Sequence, residues 1–510
     1  MNKNKKTAAK YIEKLLAFGM QKQMMAHWDI PQIRNQLMSI LKIDEPYYEK
    51  IENNSYNSPT DILKVLLDYA VAIGLINDTV TERDLLDAKL MGQLMPRQSE
   101  FINEFDKISR NEGQRAATDY FYQLSKHSNY IKTDRIAKNI KWLTETTYGT
   151  IEITINLSKP EKDPKEIEAA KNAANANYPK CLLCLENVGY EGRLNHPGRS
   201  NHRVMPVTLD DEQWYMQYSP YVYYNEHTIV FCEEHRPMVI SEKTFDRLIT
   251  FVDKFPHYFI GSNADLPIVG GSILSHDHFQ GGHYIFPIEK AEVIKEFNHT
   301  KFKNVKIQMI KWPLSVIRLV SSNKDEIIEL SDNILKAWRS YSDESIDIID
   351  HTSDVPHNTI TPIARKNQNG EYELDLTLRN NRTDEKHPEG IFHPHKHLHH
   401  IKKENIGLIE VMGLAVLPAR LKYEINQITK ILMGQIKEEQ WIENEDLQKH
   451  LKWIKDLINQ YGTSLNQEEA STIIKDSIGK KFKEVLECSG VFKQTKSGLN
   501  AFEKFIKKCL

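Results

Sequence analysis

The expected order of secondary structure repeats along this chain. Strand-like runs, one helical pattern, further strand and a histidine cluster follow one another from Cys181 to about Pro287, and the same order recurs from Val305 to the histidine-rich run at 393–400. A recurring supersecondary unit of this kind predicts two similar α+β halves. The strand-like runs are Tyr221–Tyr224, Thr228–Phe231, Tyr258–Ile260, Val305–Ser321, Asn358–Thr361 and Tyr372–Leu378, and the helical patterns are Ser241–Phe255 and Lys324–Tyr341.

Helical regions flank the two halves. Apolar residues recur at helical spacing near the amino terminus, strand-like alternation begins near Thr144, and helical patterns return beyond Gly407 at Leu417–Met433, Asp446–Tyr461 and Glu468–Cys488. We therefore predict an α+β fold with antiparallel sheets and packed helices. Its predicted parts are a helical region at 1–145, a first half at 146–290, a second half at 291–410 and a helical region at 411–510.

The first histidine cluster lies in the glycine-rich segment Gly270–Gly282 and has the sequence His-x-His-x-Gln. If the segment is extended, His276, His278 and Gln280 point to one face, because side chains alternate along a strand. A neutral imidazole is a competent nucleophile near pH 7, and a carboxamide can donate to a phosphoryl oxygen without adding charge. The pattern indicates covalent phosphoryl chemistry at His278, against the alternative of two buried, hydrogen-bonded structural histidines.

A Cys-x-x-Cys at Cys181 and Cys184 has the spacing with which two thiolates bind one Zn²⁺, and such a site needs two further ligands. His235 and His276 are the candidates. We predict a closed tetrahedral zinc site that holds the strand of the nucleophile and leaves His278 free for chemistry. The alternative is a Cys-x-x-Cys that binds no metal.

The second cluster places His393, His395, His397 and His399 at alternate positions. Such a run could hold a second metal near His393, His395 and His397, or a phosphate. Some of these histidines could equally be surface residues.

The overall charge excludes a global attraction for polyanions. The 510 residues carry 67 basic and 70 acidic side chains and a formal net charge of −3, so any phosphate specificity must be local. We find no run of 18 apolar residues and no secretory leader, and five cysteines fit reduced thiols, which together predict a soluble, cytoplasmic protein without nucleic-acid or membrane partners.

Together these motifs resemble the galactose-1-phosphate uridylyltransferases of the histidine-triad superfamily, which are built from two histidine-triad half-domains. The resemblance rests on the order Cys-x-x-Cys, Asn225-Glu226, Glu234-His235 and His-x-His-x-Gln. The segments Asn129–Asn139 and Lys402–Gly413 are similar to the longer bacterial class, class II, so the likeness covers nearly the whole chain.

The resemblance implies a double displacement. His278 matches the nucleophile that takes UMP from UDP-glucose and passes it to galactose 1-phosphate, and Gln280 matches the residue that bonds the transferred phosphoryl group. It also implies a homodimer, a uridine pocket and a hexose contact. The matching pocket residues are Asn187, Val188, Asn225 and Glu226, and the hexose contact falls at Glu410.

Two departures from the shorter class stand out: the residues that flank the nucleophile, and the helical regions at both ends, which have no counterpart there. Asp277 and Phe279 replace the proline and glycine that usually flank the nucleophile there, and Asp277 could either orient an imidazole or raise its pKa. Two other functions stay open: a histidine-triad nucleotidyltransferase or phosphorylase acting on dinucleoside polyphosphates, and a non-catalytic zinc-dependent nucleotide-binding protein.

Overall fold

The chain forms two compact units in the computed structural model, which describes residues 3–51, 56–158, 164–172, 176–271 and 273–510. Ser272 of the glycine-rich segment lies outside these ranges. The first unit comprises the residues up to Lys138 together with Ser158–His235. The second comprises Asn139–Leu157 and Arg236–Leu510. Both units are therefore built from two separate stretches of sequence.

The described residues form sixteen α-helices and fifteen β-strands. The helices are α1 (Lys3–Gln21), α2 (Ile30–Ile40), α3 (Thr60–Ala72), α4 (Val80–Gly92), α5 (Gln98–Glu112), α6 (Gln114–His127), α7 (Thr133–Ile136), α8 (Pro164–Asn172), α9 (Glu242–Lys254), α10 (Lys324–Arg339), α11 (Leu408–Val411), α12 (Arg420–Leu432), α13 (Glu438–Ile442), α14 (Leu451–Tyr461), α15 (Gln467–Ser489) and α16 (Lys496–Lys508). The strands are β1 (Ile140–Thr146), β2 (Gly149–Ile155), β3 (Met205–Leu209), β4 (Glu212–Tyr218), β5 (Thr228–Cys232), β6 (Phe259–Gly261), β7 (His278–Gly282), β8 (Val293–Phe297), β9 (Lys306–Ile310), β10 (Val316–Ser321), β11 (His351–Thr352), β12 (Val355–Pro356), β13 (Asn358–Lys366), β14 (Tyr372–Asn380) and β15 (Leu414–Leu417).

The first unit packs helices α1–α8 with an antiparallel meander of β3, β4 and β5. Aromatic rings connect its helices to its strands. The ring of Phe121 in α6 lies 4.7 Å from Phe101 in α5 and 4.8 Å from Tyr218 in β4, measured between centroids. All three side chains are almost fully buried. Burial of this much aromatic surface is a principal source of stability for the unit.

The second unit contains the strand order β7-β6-β13-β14-β10-β9-β8, in which every neighbouring pair is antiparallel. Alternation gives this part of the sheet two different faces. On β14, Leu374, Leu376 and Leu378 form an apolar face, while Asp375 and its neighbours Thr377 and Arg379 form a buried polar face. Helices α9 and α10 pack on the sheet at β13.

A smaller sheet in the second unit joins distant parts of the chain. Strands β1 and β2 form an antiparallel hairpin, and β15 pairs parallel with β2. Helix α15 packs against β1, where the indole of Trp142 donates to the carbonyl of Lys475 at 3.2 Å. The hairpin is therefore integrated with the carboxy-terminal helices.

The predicted α+β class with mainly antiparallel sheets and helical ends is confirmed. Helices α9 and α10 match the two helical patterns, and α12, α14 and α15 match those of the tail. The helical region predicted for 1–145 ends early, because β1 begins at Ile140. Within the described residues, no helix combines the length and apolarity needed to cross a membrane.

The strand predicted at Tyr221–Tyr224 is wrong. The segment is a loop in which Val222 and the nearby Glu226 have positive φ angles of 31° and 54°. The strand lies earlier, at β4, where the buried Trp214 and Met216 alternate with less buried residues. The aromatic and β-branched composition of the loop imitates a strand, but Pro220 and the turn after Tyr224 prevent a continuous ladder.

We expect Gly479→Ala to destabilise the protein although alanine is the better helix former. A Cβ atom at this position of α15 would overlap the side chain of Thr144 in β1. Overpacking at such a contact costs about 1–3 kcal/mol, which exceeds the gain in helix propensity of about 1 kcal/mol. Urea unfolding followed by circular dichroism would report a lower midpoint. Thr472→Ala, at an exposed position of the same helix, is the control, and a Gly479→Ala midpoint at or above wild type would contradict the packing.

Candidate functional site

The segment before β7 turns sharply instead of continuing the strand. Ser275 and His276 form a bend and β7 begins only at His278, so the extended conformation predicted for the whole trio holds for His278 and Gln280 alone. These two side chains share one face of the strand, while Phe279 on the opposite face is 1% exposed. Gly270 is required upstream, because a Cβ there would lie 2.6 Å from the carbonyl oxygens of Ala264 and Leu266.

The imidazole of His278 is fixed in one tautomer. Its Nδ1 lies 2.8 Å from the carbonyl oxygen of His276, which can only accept, so Nδ1 carries the proton and Nε2 keeps its lone pair. Burial lowers the pKa of His278 to about 4. The ring is therefore neutral near pH 7, and Nε2 has the form of a nucleophile.

Gln280 lies opposite Gly261 of β6, which in turn faces Ile363 of β13. Glycine is needed at position 261, because a Cβ atom there would lie 2.8 Å from the carbonyl oxygen of Pro362 and 2.9 Å from the side chain of Leu408. Leu408 opens α11, and its N–H donates to Asn263 at 2.9 Å. The segment that carries Glu410 is thus anchored over the strand next to Gln280. Neither Asn263 nor Leu408 was predicted, since no local pattern marks them.

Glu410, the predicted hexose contact, is buried and paired with a cation. The Nζ of Lys402 lies 2.9 Å from its carboxylate, and Lys402 is itself buried. Burial alone would lower the pKa of Lys402, but Glu410 and Glu404 outweigh burial and raise it. Lys402 therefore stays charged and compensates the buried carboxylate of Glu410.

Three of the four predicted zinc ligands meet in the first unit. The Sγ atoms of Cys181 and Cys184 are 3.6 Å apart, and Sγ of Cys184 lies 3.2 Å from Nδ1 of His235. The ligand atoms of these three residues all lie within 4.8 Å of one another. A tetrahedral zinc ion with Zn–S bonds of about 2.3 Å separates its sulfur ligands by about 3.8 Å. The donor set and its spacing fit a metal ion.

Burial and the adjacent Cys181 raise the pKa of the Cys184 thiol to about 11 when no cation is bound. A dication would reverse this shift, because it binds the thiolate. His276, the fourth predicted ligand, belongs to the second unit and is fully buried.

The predicted uridine pocket residues lie in the first unit. The side-chain amide of Asn187 donates to the carbonyl oxygens of Cys181 and Cys184, both at 2.8 Å, and its oxygen lies 2.7 Å from Nε2 of His196. Asn187 therefore orders the Cys-x-x-Cys turn, beside the half-buried Val188. Asn225 donates to Glu226 at 2.9 Å, and Glu226 is buried.

The second histidine cluster does not form as the alternation predicted. Lys396–Leu398 is a 3₁₀ turn, which sends alternate side chains in different directions. His395 contacts the carbonyl oxygen of Ile391 at 3.2 Å, and the exposed His397 pairs with Glu484 at 2.6 Å. The residues that do share a possible cation position are Glu389, His393 and His399. A second metal near His393, His395 and His397 stays a prediction, and Glu389 was not among its predicted ligands.

Comparison with known proteins decides the family. The model "Galactose-1-phosphate uridyl transferase, N-terminal domain" matches residues 28–237, and the corresponding C-terminal domain model matches residues 251–452. The chain belongs to the galactose-1-phosphate uridylyltransferase family. The two matches together cover most of the sequence, including the Cys-x-x-Cys, the nucleophile segment and Glu410.

Curated members of the galactose-1-phosphate uridylyltransferase family match along nearly their whole length. The protein of that name from Caldanaerobacter subterraneus subsp. tengcongensis is 58% identical, with 98% of each chain covered. The Fusobacterium nucleatum protein is 52% identical with 97% of each chain covered, and the Bacillus subtilis protein is 50% identical with 97% of this chain and 96% of its own covered. The helical regions at both ends therefore belong to the shared architecture.

Proposed function

We propose that this protein transfers a uridylyl group between UDP-glucose and galactose 1-phosphate through a uridylyl-histidine intermediate. The observation that carries the proposal is the neutral, Nδ1-protonated imidazole of His278 on the same strand face as Gln280. Membership in the family and the names of its close relatives support the choice of substrates.

Two displacements at one phosphorus account for the reaction. In the first, Nε2 of His278 attacks the phosphorus next to uridine, a P–N bond forms, and the P–O bond to glucose 1-phosphate breaks. In the second, a phosphate oxygen of galactose 1-phosphate attacks the same phosphorus, the P–N bond breaks, and UDP-galactose leaves. The Nδ1 proton stays on the imidazole throughout and is donated in a hydrogen bond to the carbonyl oxygen of His276, which stabilises the cationic ring of the intermediate.

Gln280 supplies a neutral donor to the phosphoryl group in this proposal, and Gln280→Ala tests it. The loss of a hydrogen bond that strengthens in the transition state costs about 10²–10³ in rate. We expect a decrease of this size in kcat, with a smaller change in KM, measured by release of glucose 1-phosphate. Gln308→Ala, which removes an amide from β9, is the matched control. An unchanged kcat for Gln280→Ala would remove Gln280 from the mechanism.

Substrate binding is assigned to a uridine pocket and a hexose contact. We propose that Asn225 and Glu226 accept the ribose hydroxyls, that Asn187 and Val188 line the uridine pocket, and that Glu410 contacts the hexose. The bonds of Asn187 to the Cys-x-x-Cys turn connect this pocket to the metal cluster. A homodimer, the form implied by the family resemblance, is testable by light scattering.

We propose zinc as the structural metal, bound by Cys181, Cys184 and His235 with His276 as the fourth ligand. Thiolate and imidazole donors in a closed set of four favour zinc without an open position for catalysis. The ion would orient the segment of the nucleophile and take no part in the transfer.

Glu389, His393 and His399 are proposed as a second cation site, which metal analysis of His399→Ala would test.

Labelled substrate separates this function from its alternatives. UDP-glucose labelled in the phosphorus next to uridine should leave an acid-labile, base-stable adduct on the protein, and galactose 1-phosphate should discharge it as UDP-galactose. An enzyme specific for dinucleoside polyphosphates would form its adduct from those compounds instead. A non-catalytic binding protein would form no adduct with either substrate.

A further inference from the structure

We infer that Asp277 is a positioning residue, whose ion pairs with Arg236 and Arg247 fix the peptide group that orients the nucleophile. This inference rests on the proposed function, because it concerns the reactivity of His278. Asp277 follows His276 and precedes His278, so its backbone is part of the bend. Its side chain is 8% exposed.

The peptide group between His276 and Asp277 is held by hydrogen bonds at both ends. Its N–H donates to the carbonyl oxygen of Arg236 at 2.7 Å, and its carbonyl oxygen accepts the Nδ1 proton of His278 at 2.8 Å. Rotation of this peptide plane would move the oxygen away from Nδ1. The tautomer and direction of the imidazole therefore depend on one backbone group, and successive hydrogen bonds through it strengthen each other.

The side-chain carboxylate of Asp277 restricts the same peptide group through ion pairs. Oδ2 lies 3.6 Å from Nε of Arg236 and 3.9 Å from Nη1 of Arg247, which is in α9 and 6% exposed. These distances are in the range of ion pairs rather than of direct hydrogen bonds. The side chains of Asp277 and Arg247 are buried and that of Arg236 is 28% exposed, so their attraction is screened less than that of an ion pair at the surface. The pairs thus tie the bend to a packed helix.

The N–H of Asp277 reaches the carbonyl oxygen of Arg236 only in one orientation of the peptide plane. The ion pairs of the Asp277 side chain restrict the backbone to that orientation. The acidic neighbour is therefore an orienting group, and its charge is offset by two guanidinium groups.

Asp277→Asn tests the inference, because it keeps the side-chain size and removes the charge. We expect the single-turnover rate of adduct formation from labelled UDP-glucose, at saturating substrate, to fall by about 10–100-fold, by analogy with groups that orient metal ligands. The UDP-glucose concentration that gives half the maximal rate should stay within about twofold of wild type, because binding contacts are retained. Nitrogen-15 spectra of the His278 ring should change from one Nδ1–H tautomer to a mixture.

Arg247→Lys should retain most of the rate and Arg247→Gln should lose it, which separates charge from packing and provides a second test if Asp277→Asn does not fold. Asp253→Asn is the matched control: it lies on the same helix and removes an ion pair with Lys366 that does not involve Asp277.

A wild-type rate and tautomer in Asp277→Asn would overturn the inference. An unchanged maximal rate with weakened half-saturation would also overturn it, since Asp277 would then serve substrate binding. If wild type forms no adduct, the proposed function fails, while the tautomer in the spectra still tests the role of Asp277.

Discussion

His278→Ala is expected to abolish uridylyl transfer while the protein stays folded. Removal of the imidazole removes the atom that forms the P–N bond, and nucleophile substitutions in enzymes with covalent intermediates reduce kcat by factors up to about 10⁶. We therefore expect no labelled adduct and a decrease of kcat of at least about 10³. The change in UDP-glucose binding should be small, because the ring acts on the phosphorus only in the transition state.

The measurement is the amount of label that stays on the protein after one incubation with labelled UDP-glucose. It is made on one sample treated with acid and on another treated with base. His351→Ala is the control: this histidine is exposed and pairs with Asp350 at 2.9 Å, far along the chain from the nucleophile. An adduct of undiminished amount in His278→Ala would assign the nucleophile to another residue. Loss of the adduct in both variants would instead indicate a general loss of structure.

Cys184→Ser is expected to lose the proposed zinc ion and a large part of the stability. Serine is a much poorer zinc ligand than a thiolate, and structural zinc sites contribute directly to folding free energy, about 10–16 kcal/mol in small zinc-dependent peptides. In this larger protein the effect should be a lower thermal midpoint and a zinc content well below one ion per chain. We also expect a strong chelator to inactivate the wild-type protein slowly.

Cys509→Ser is the matched control, because Cys509 is a free thiol near the carboxy terminus whose Sγ contacts the carbonyl oxygen of Phe505. Metal analysis and thermal unfolding of both variants distinguish a general effect of thiol loss from the loss of a ligand. Full zinc content in Cys184→Ser would exclude Cys184 from the site. Wild type without zinc would exclude the metal while leaving the role of His278 intact.

Local patterns predicted the elements whose burial follows from their own periodicity. Helices α9, α10 and α15 have apolar positions at helical spacing, and the repeat of strands and helix indicated the α+β class. Boundaries failed where composition and geometry disagree. Tyr221–Tyr224 has the residues of a strand in a loop, and β1 begins at Ile140 inside a region dominated by helices.

Site residues were predictable from the sequence where their spacing along the chain reflects the geometry with which they bind a metal ion. The Cys-x-x-Cys and His235 come together as spacing and chemistry require. The alternating histidines after His393 do not, because alternation positions side chains only if the segment is a strand. The partners of Asp277 are contributed by α9 and by the residue after His235, so no local pattern could reveal them. Arg247 offered one signal, a charged residue on the buried face of an amphipathic helix.

The parallel pairing of β15 with β2 has a consequence for synthesis of the chain on the ribosome. Ile153 of β2 pairs with Ala415 of β15, which lies more than half the length of the chain away in sequence. A nascent chain that has already completed the residues of the first unit must leave this edge of β2 exposed until Leu417 emerges. Exposed strand edges recruit other strands, so the growing protein is prone to aggregate during this interval.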